Sequence, residues 1–270
     1  MEKKKAQQSV FNDVVHSASN HDSEQLRLLL QKDGAIFLGI IDKYVKRIKK
    51  GGVIIDAGCG TGSYLSALNP YLLNSYHVIG VDISSKSLKV AKQRYAEVDF
   101  IVGDIDALPL RDGISDLVII RNVLHHLPTL KPLENIIRLL NSNGLLLIDD
   151  KMSGNPLQGL LIWAYPLVPY KFKMHLRDAD HIDRYGNLPP IIRHRPKTYV
   201  NFIKNYPEKL AIREIKYHGF FLILGVLQYL FRFFPRASRI RVPLYTIYSL
   251  EKHDILRWSA VSVTIVAERV

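Results

Sequence analysis

Residues Val53 to Gly62 read VIIDAGCGTG, an apolar run that breaks into Asp56 and then into glycines at 58, 60 and 62. Val53, Ile54 and Ile55 predict a short buried strand, and the glycines supply turn dihedrals and room for a ligand to approach bare backbone. A helix predicted over Ser63 to Leu68 would aim its first N–H groups at that ligand, favouring a carboxylate or phosphate. A dinucleotide fingerprint sets its third glycine five residues after the first. Ser63 holds that place here, so the spacing disfavours NAD. Cys59, inside the turn, reads as a small apolar filler rather than a nucleophile.

Three further pieces follow. His77 to Val81 (HVIGV) reads as a second strand and ends in Asp82, where a carboxylate can accept both hydroxyls of an unphosphorylated ribose. Gly103-Asp104 follows the strand-like Phe100 to Val102 and precedes Ile105, Leu108 and Pro109; a polar group beside apolar ones suits an adenine. Asp116 then leads into Leu117 to Ile120, and the fourth strand ends in Arg121 to Pro128, RNVLHHLP.

In this order and at these intervals, the four pieces resemble the class I S-adenosylmethionine-dependent methyltransferases, in particular the small-molecule branch whose fourth strand ends in N-V-L-H-H-L. The likeness covers roughly residues 50 to 150. It implies S-adenosyl-L-methionine as cofactor, with Asp56, Gly58 and Gly60 at the methionyl end and Cys59 and Gly62 in the same turn. By the same resemblance, Asp82 meets the ribose, Asp104 and Ile105 the adenine, Asn122 lines the cofactor floor, and Ile83 is among the cofactor-binding residues. His125 stands where O-methyltransferases with an H-D-W pattern keep a proton-removing histidine. His126 and Leu127 replace the Asp and Trp, so a structural role for His125 stays open beside the catalytic one. Asp150, His175 and His181 are further candidates, and Asp149-Asp150 can also simply end a strand. The implied reaction is an in-line displacement on the sulfonium methyl by an acceptor oxygen, nitrogen or carbon, in which the protein chiefly aligns the reactants and excludes water.

The elements that must position these residues alternate. Ile36, Phe37, Ile40, Ile41, Tyr44, Val45 and Ile48 recur at helical spacing, and Ser84 can cap a helix carrying Leu88, Ala91 and Tyr95. Leu133 to Leu140 predicts another helix, and Gly144 starts a fifth strand that ends at Asp149-Asp150. Leu210 to Lys216 and Ser259 to Glu268 have strand character. The expected fold is α/β, a Rossmann-like, doubly wound, mostly parallel seven-stranded sheet; the family resemblance makes the last strand antiparallel. Four segments are expected: a helical N-terminal piece (1–50), a cofactor-binding core (51–150), an apolar and basic lid insert (151–208), and C-terminal strands with a second apolar insert at 219–256 (209–270).

At 270 residues and 47% hydrophobic content the chain can bury a full core. One cysteine allows no internal disulfide, and no Cys/His cluster has zinc-site spacing, so no metal is expected. The basic N-terminus lacks the long apolar stretch and cleavage site of a secretory signal, which points to the cytoplasm.

Charge separates the two halves: residues 51–150 hold eight basic against eleven acidic side chains, whereas 151–270 hold 19 against 8. The C-terminal half also carries two apolar stretches, Leu157 to Tyr170 and Gly219 to Phe234. Pro166 and Pro169 break the first, and the second contains Gln228 and Arg232 and falls short of the ~20 residues a span needs, so neither reads as transmembrane. Three readings stay open: an ordinary helical lid, a pocket for a lipophilic acceptor lined by Trp163, Tyr165, Phe220, Phe221, Tyr229 and Phe231, or a face that docks on an anionic membrane through Arg232, Arg236, Arg239 and Arg241. A small lipophilic acceptor satisfies the last two, with the protein resting on the inner membrane face. A sequence pI near 9.6 raises nucleic acid as a partner. Arg121 to Leu124 lacks the Asn/Asp-Pro-Pro-aromatic tetrapeptide of enzymes that methylate base amino groups, which disfavours that partner. A protein methyltransferase and a non-catalytic nucleotide-binding protein remain alternatives.

Overall fold

The structure is a computed structural model and describes residues 36–37, 39–62, 65, 70–153, 193–206, 210–218, 260 and 262–270. Seven strands form one sheet: β1 (Val53–Ala57), β2 (His77–Asp82), β3 (Asp99–Val102), β4 (Ser115–Arg121), β5 (Leu140–Lys151), β6 (Leu210–His218) and β7 (Ser262–Arg269). Their spatial order is β3-β2-β1-β4-β5-β7-β6. Strands β1 to β5 pair in parallel, while β7 runs antiparallel to both of its neighbours. This is the expected α/β architecture, antiparallel last strand included. Because the order reverses at β1 and β4, a crevice opens outside their carboxyl ends, where doubly wound sheets bind ligands.

Central parallel strands are covered on both faces, so their side chains are apolar on both. On one face Ile54, Val78, Leu117, Ile119, Leu145, Leu147 and Val266 pack under α1, the helical residues 36–37 and 39–45, through Phe37, Ile40, Ile41, Tyr44 and Val45. On the other, Ile55, Val118, Ile120, Leu146, Ile148, Val263 and Ile265 meet Leu133, Ile136 and Ile137, and also Tyr199 and Ile203. The side chains of each group leave the strands at alternate positions, as a pleated strand requires. Each fully buried Leu or Ile stabilises the fold by about 1.5–3 kcal/mol. Polar contacts fix the docking of α1: Lys43 and the Tyr44 hydroxyl donate to Glu214 of β6, and Arg47 and Arg213 both donate to Glu268 of β7. Burial raises the Glu268 carboxyl, but the two guanidiniums outweigh it and hold it below the usual range.

Four further helices belong to the described fold: α2 (Pro70–Ser75), α3 (Ser85–Arg94), α4 (Leu133–Ile137) and α5 (Pro196–Asn205). Ser84 caps α3 as expected, its hydroxyl accepting from the Ser87 N–H, and Leu88 and Ala91 face the core. The helix expected over Leu133 to Leu140 is shorter, ending at Ile137, because Leu140 already pairs with Ser115 in the sheet. β5 accordingly starts before Gly144. Between the Ser115–Leu140 and Leu117–Leu145 pairs the ladder is irregular, and Asn143 turns through a φ of 67° there, so regular pairing begins where the expected strand began. β6 runs two residues past Lys216, and β7 starts at Ser262 and not at 259. Helix α5 was not foreseen; Pro196 at its first turn and buried Tyr199 and Ile203 on one face account for it.

The N-terminal segment before residue 36 and most of Ser63 to Leu68 lie outside the described residues, as do both apolar stretches with their aromatic and arginine residues, His175 and His181. Among the described residues no helix is long and apolar enough to cross a membrane.

Candidate active site

At the carboxyl end of β1 the chain turns through Gly58, Gly60 and Gly62 with φ of 84°, 55° and 72°. These left-handed values explain why glycine recurs at alternate positions. The three differ in surroundings. A Cβ on Gly58 would overlap Val123 Cγ2, and one on Gly62 would lie 3.0 Å from the Tyr95 ring, whereas one on Gly60 would meet nothing within 4 Å. Gly60 therefore faces open space at the crevice, and Gly58 and Gly62 let the turn nest against its neighbours.

Asp82, at the tip of β2, grips this turn. One carboxylate oxygen accepts the Gly60 N–H and the other the Ser84 N–H, each at 2.8 Å. The sequence leads one to expect Asp82 to meet a ligand; the structure shows it as the anchor of the glycine turn. Each carboxylate oxygen has a further lone pair with which to meet a ribose hydroxyl. Burial raises the Asp82 carboxyl, and the two backbone donors counter the rise. The Gly58 and Cys59 N–H groups both reach Val81 O, so β2 holds the turn from its backbone as well. Cys59 is buried, and burial together with Asp56 and Asp82 pushes its thiol far up, which suits a filler and not a nucleophile.

Asp56 is buried, and its carboxyl is pushed up to about 7, by burial first and the Asp82 charge second, with Arg121 pulling the other way. A carboxylate that ionises with difficulty is primed for a cation. The raised Asp56 carboxyl also makes fold stability depend on pH. With the folded value above the unfolded one, the unfolded chain gives up its proton first, so stability falls as pH rises from about 4 to about 7 and is level above that. Asp56→Asn should remove this slope and raise stability at pH 8 by on the order of 2–4 kcal/mol. Denaturant titrations across pH would show it, and identical slopes for the two proteins would contradict the assignment.

The other expected positions follow along the same edge. Gly103 N–H donates to Asp82 O, and Asp104 opens a turn in which its carboxylate accepts the Asp106 N–H at 2.9 Å and its carbonyl the Ala107 N–H. Ile105 is buried beside it, and Ile83 is half-buried after Asp82. Arg138 of the α4 C-cap braces this loop by donating to Leu108 O and Leu110 O. Asp116 lies elsewhere: it accepts from Val53 N–H and from Asn141 at the start of the strands, away from the crevice.

After β4, Asn122 adopts a left-handed φ of 52°, which asparagine tolerates better than most residues, and its N–H donates to Asp149 O. This bend turns Leu124–His126 into a single 3-10 turn across the strand ends and buries His125. His125 Nδ1 lies 2.5 Å from Asp150 Oδ1, and the other carboxylate oxygen accepts the Tyr199 hydroxyl at 3.0 Å. Three segments, at the ends of β4 and β5 and on α5, thus converge on one buried carboxylate. Asp150 pushes the Tyr199 hydroxyl up, after burial, so Tyr199 stays a donor.

On the opposite face, Asp149 joins a separate network. Arg121 Nε lies 2.8 Å from it, and His218 Nε2 and Thr264 Oγ1 reach its second oxygen at 2.8 and 2.7 Å. The Arg121 guanidinium also stacks 4.1 Å from the centre of the Phe37 ring. Burial opposes ionisation of Asp149, but Arg121, His218 and Thr264 prevail and hold it below the usual range. Tyr199, His218 and Thr264 were not singled out by sequence, since their partners lie 46 to 115 residues away. Among the described residues no group of His, Cys, Asp or Glu could hold a metal.

Residues 48–168 match a family described as a methyltransferase domain. The tRNA (carboxymethyluridine(34)-5-O)-methyltransferase of Arabidopsis thaliana is 38% identical over 109 residues, which is 39% of this chain and 25% of that protein. The ribosomal protein L11 methyltransferase of Thermotoga neapolitana is 34% identical over 105 residues, 38% of each chain. The chain thus spans between a quarter and two fifths of the length of these two relatives. Among solved structures, geranyl diphosphate C-methyltransferase from Streptomyces coelicolor superposes with a TM-score of 0.55 at 17% identity, covering 87% of this chain and 76% of that one.

Proposed function

We propose, from the match of residues 48–168 to a methyltransferase domain, that the chain is a class I S-adenosylmethionine-dependent methyltransferase that methylates a small, lipophilic acceptor. When bound, S-adenosylmethionine supplies an electrophilic methyl on a sulfonium. The described residues fit such a group: Gly60 leaves open space, Asp82 keeps lone pairs for a ribose, and Asp56 offers a poised carboxylate to the cationic methionyl end. In this reading Gly58, Cys59 and Gly62 shape the turn, Ile83 flanks the ribose, Asp104 and Ile105 receive the adenine, and Asn122 forms the floor. His125 takes the acceptor proton when the acceptor is a hydroxyl.

The observation that carries the acceptor class is topological. β5 and β6 are both antiparallel to β7, so they run in the same sense as β1 and end at the edge where the glycine turn and His125 sit. Each of these strand ends is followed in sequence by an apolar stretch, residues 157–170 after β5 and residues 219–234 after β6. An apolar composition at these two places in the sequence is what a lipophilic acceptor calls for.

An RNA acceptor is the second reading, favoured by the likeness to the Arabidopsis tRNA enzyme and the basic excess after residue 150. Incubation with methyl-labelled cofactor and either a lipid extract or total tRNA separates the two. Label is expected in the organic phase. Label in tRNA alone would replace the first reading by the second, and cofactor binding with no transfer to either would favour a non-catalytic role.

A further inference from the structure

Resting on the reading of His125 as a base, the geometry points to Asp150 and Tyr199 as its positioning residues. Among the described residues, the His125 ring hydrogen bonds to Asp150 alone, through Nδ1. An ionised carboxylate only accepts, so Nδ1 must carry a proton. A neutral ring with Nδ1 protonated has its lone pair on Nε2, which is the form a base needs. Without such a partner either nitrogen can hold the proton.

Asp150 is itself held from three sides. Its backbone lies in the β5 ladder opposite Val263, its Oδ1 accepts the Lys151 N–H at 2.9 Å, and its Oδ2 accepts the Tyr199 hydroxyl. Tyr199 is fully buried, and His194 packs edge-on against its ring at 5.8 Å while its own Nε2 lies 3.1 Å from Leu127 O, one residue after His126. Tyr199 thereby ties helix α5 to the orientation of His125. The Tyr199 hydroxyl adds a donor to Asp150 without adding charge.

In the step this arrangement serves, an acceptor hydroxyl loses its proton to Nε2 as its oxygen bonds to the methyl and the sulfonium–methyl bond breaks towards sulfur. The imidazolium that forms keeps its Nδ1 proton and is balanced by Asp150. The proton on Nε2 then passes to water, and the ring returns to its starting form. Asp150 touches neither reactant.

The test uses the full chain with 15N-labelled histidine in alkaline buffer. Two-bond nitrogen–proton spectra should show His125 protonated on Nδ1 and bare on Nε2. Asp150→Asn, nearly isosteric, should move the ring wholly or largely to the Nε2-protonated form, and Tyr199→Phe should give a mixture. A wild-type ring protonated on Nε2, or an unchanged ring in Asp150→Asn, overturns the assignment; an unchanged ring in Tyr199→Phe overturns the part given to Tyr199. Transfer into the lipid extract by Asp150→Asn should fall by about 100-fold or more with cofactor affinity kept within about twofold. Transfer kept at the wild-type rate would reduce the contact to scaffolding. If the wild type itself binds no cofactor or transfers no methyl, the base reading fails, while the ring spectra still decide what orients His125.

Discussion

Gly58→Ala is expected to destabilise the domain by about 2–5 kcal/mol, from a left-handed backbone cost of about 1–2 kcal/mol and an overpacking cost of about 1–3 kcal/mol. The new Cβ would overlap Val123 Cγ2, and Val123 is β-branched, stiff at χ1 and fixed where the chain bends after β4. Val123→Ala in the same chain should recover the overpacking part and leave the backbone part. Gly60→Ala is the contrast: its φ of 55° costs only the backbone part, and its Cβ enters open space. Gly60→Ala should therefore fold with a small loss of stability but bind S-adenosylmethionine at least tenfold more weakly, because the methyl group intrudes on the cradle. Denaturant unfolding and calorimetric titration read the two effects separately. Equal losses of stability in the two variants would refute this division of labour, and full affinity in Gly60→Ala would remove the cofactor from that side of the turn.

Asp82→Ala is expected to weaken cofactor binding by more than a ribose contact alone accounts for. The lost ribose hydrogen bonds contribute about 1–3 kcal/mol. The same substitution strips the Gly60 and Ser84 N–H groups of their acceptor, so the turn that frames the cradle and the entrance to α3 both loosen. A loss of roughly 100-fold or more in affinity is expected, together with about 1–3 kcal/mol of fold stability. Asp82→Asn keeps the shape but offers one oxygen and one NH2, so it can satisfy only one of the two backbone donors. It should fall between wild type and alanine on both measurements. Unchanged affinity in Asp82→Ala would sink the ribose assignment; unchanged stability would sink the anchoring role.

The sequence disclosed the parts of this site that are local in the chain. The apolar run before Asp56, the alternate glycines, Asp82 at the tip of a β-branched strand and the Ser84 cap all speak through neighbours within a few residues, and each element stands where its pattern placed it. The parts that stayed hidden depend on contacts made only by folding. Asp150 stood as a candidate beside the reading of Asp149-Asp150 as a strand end, but nothing near the pair in sequence says that Arg121, His218 and Thr264 await one, and His125 and Tyr199 the other. The start of β5 was misjudged for a related reason, since the Ser115–Leu140 pair is set by the partner strand and not by the residues around Leu140.

The alternation of β5 sends two neighbouring carboxylates to opposite faces of the sheet, Asp149 to Arg121 beneath α1 and Asp150 to His125 and to Tyr199 of α5. Only the phase of the strand keeps them apart. Deleting one residue between Leu145 and Ile148 would exchange their sides, presenting the arginine's partner to the imidazole and the imidazole's partner to the arginine. Seven consecutive rungs with β7, from Leu145–Glu268 to Lys151–Ser262, guard against that slip. Indels in this stretch should be tolerated far less well than substitutions of its apolar side chains.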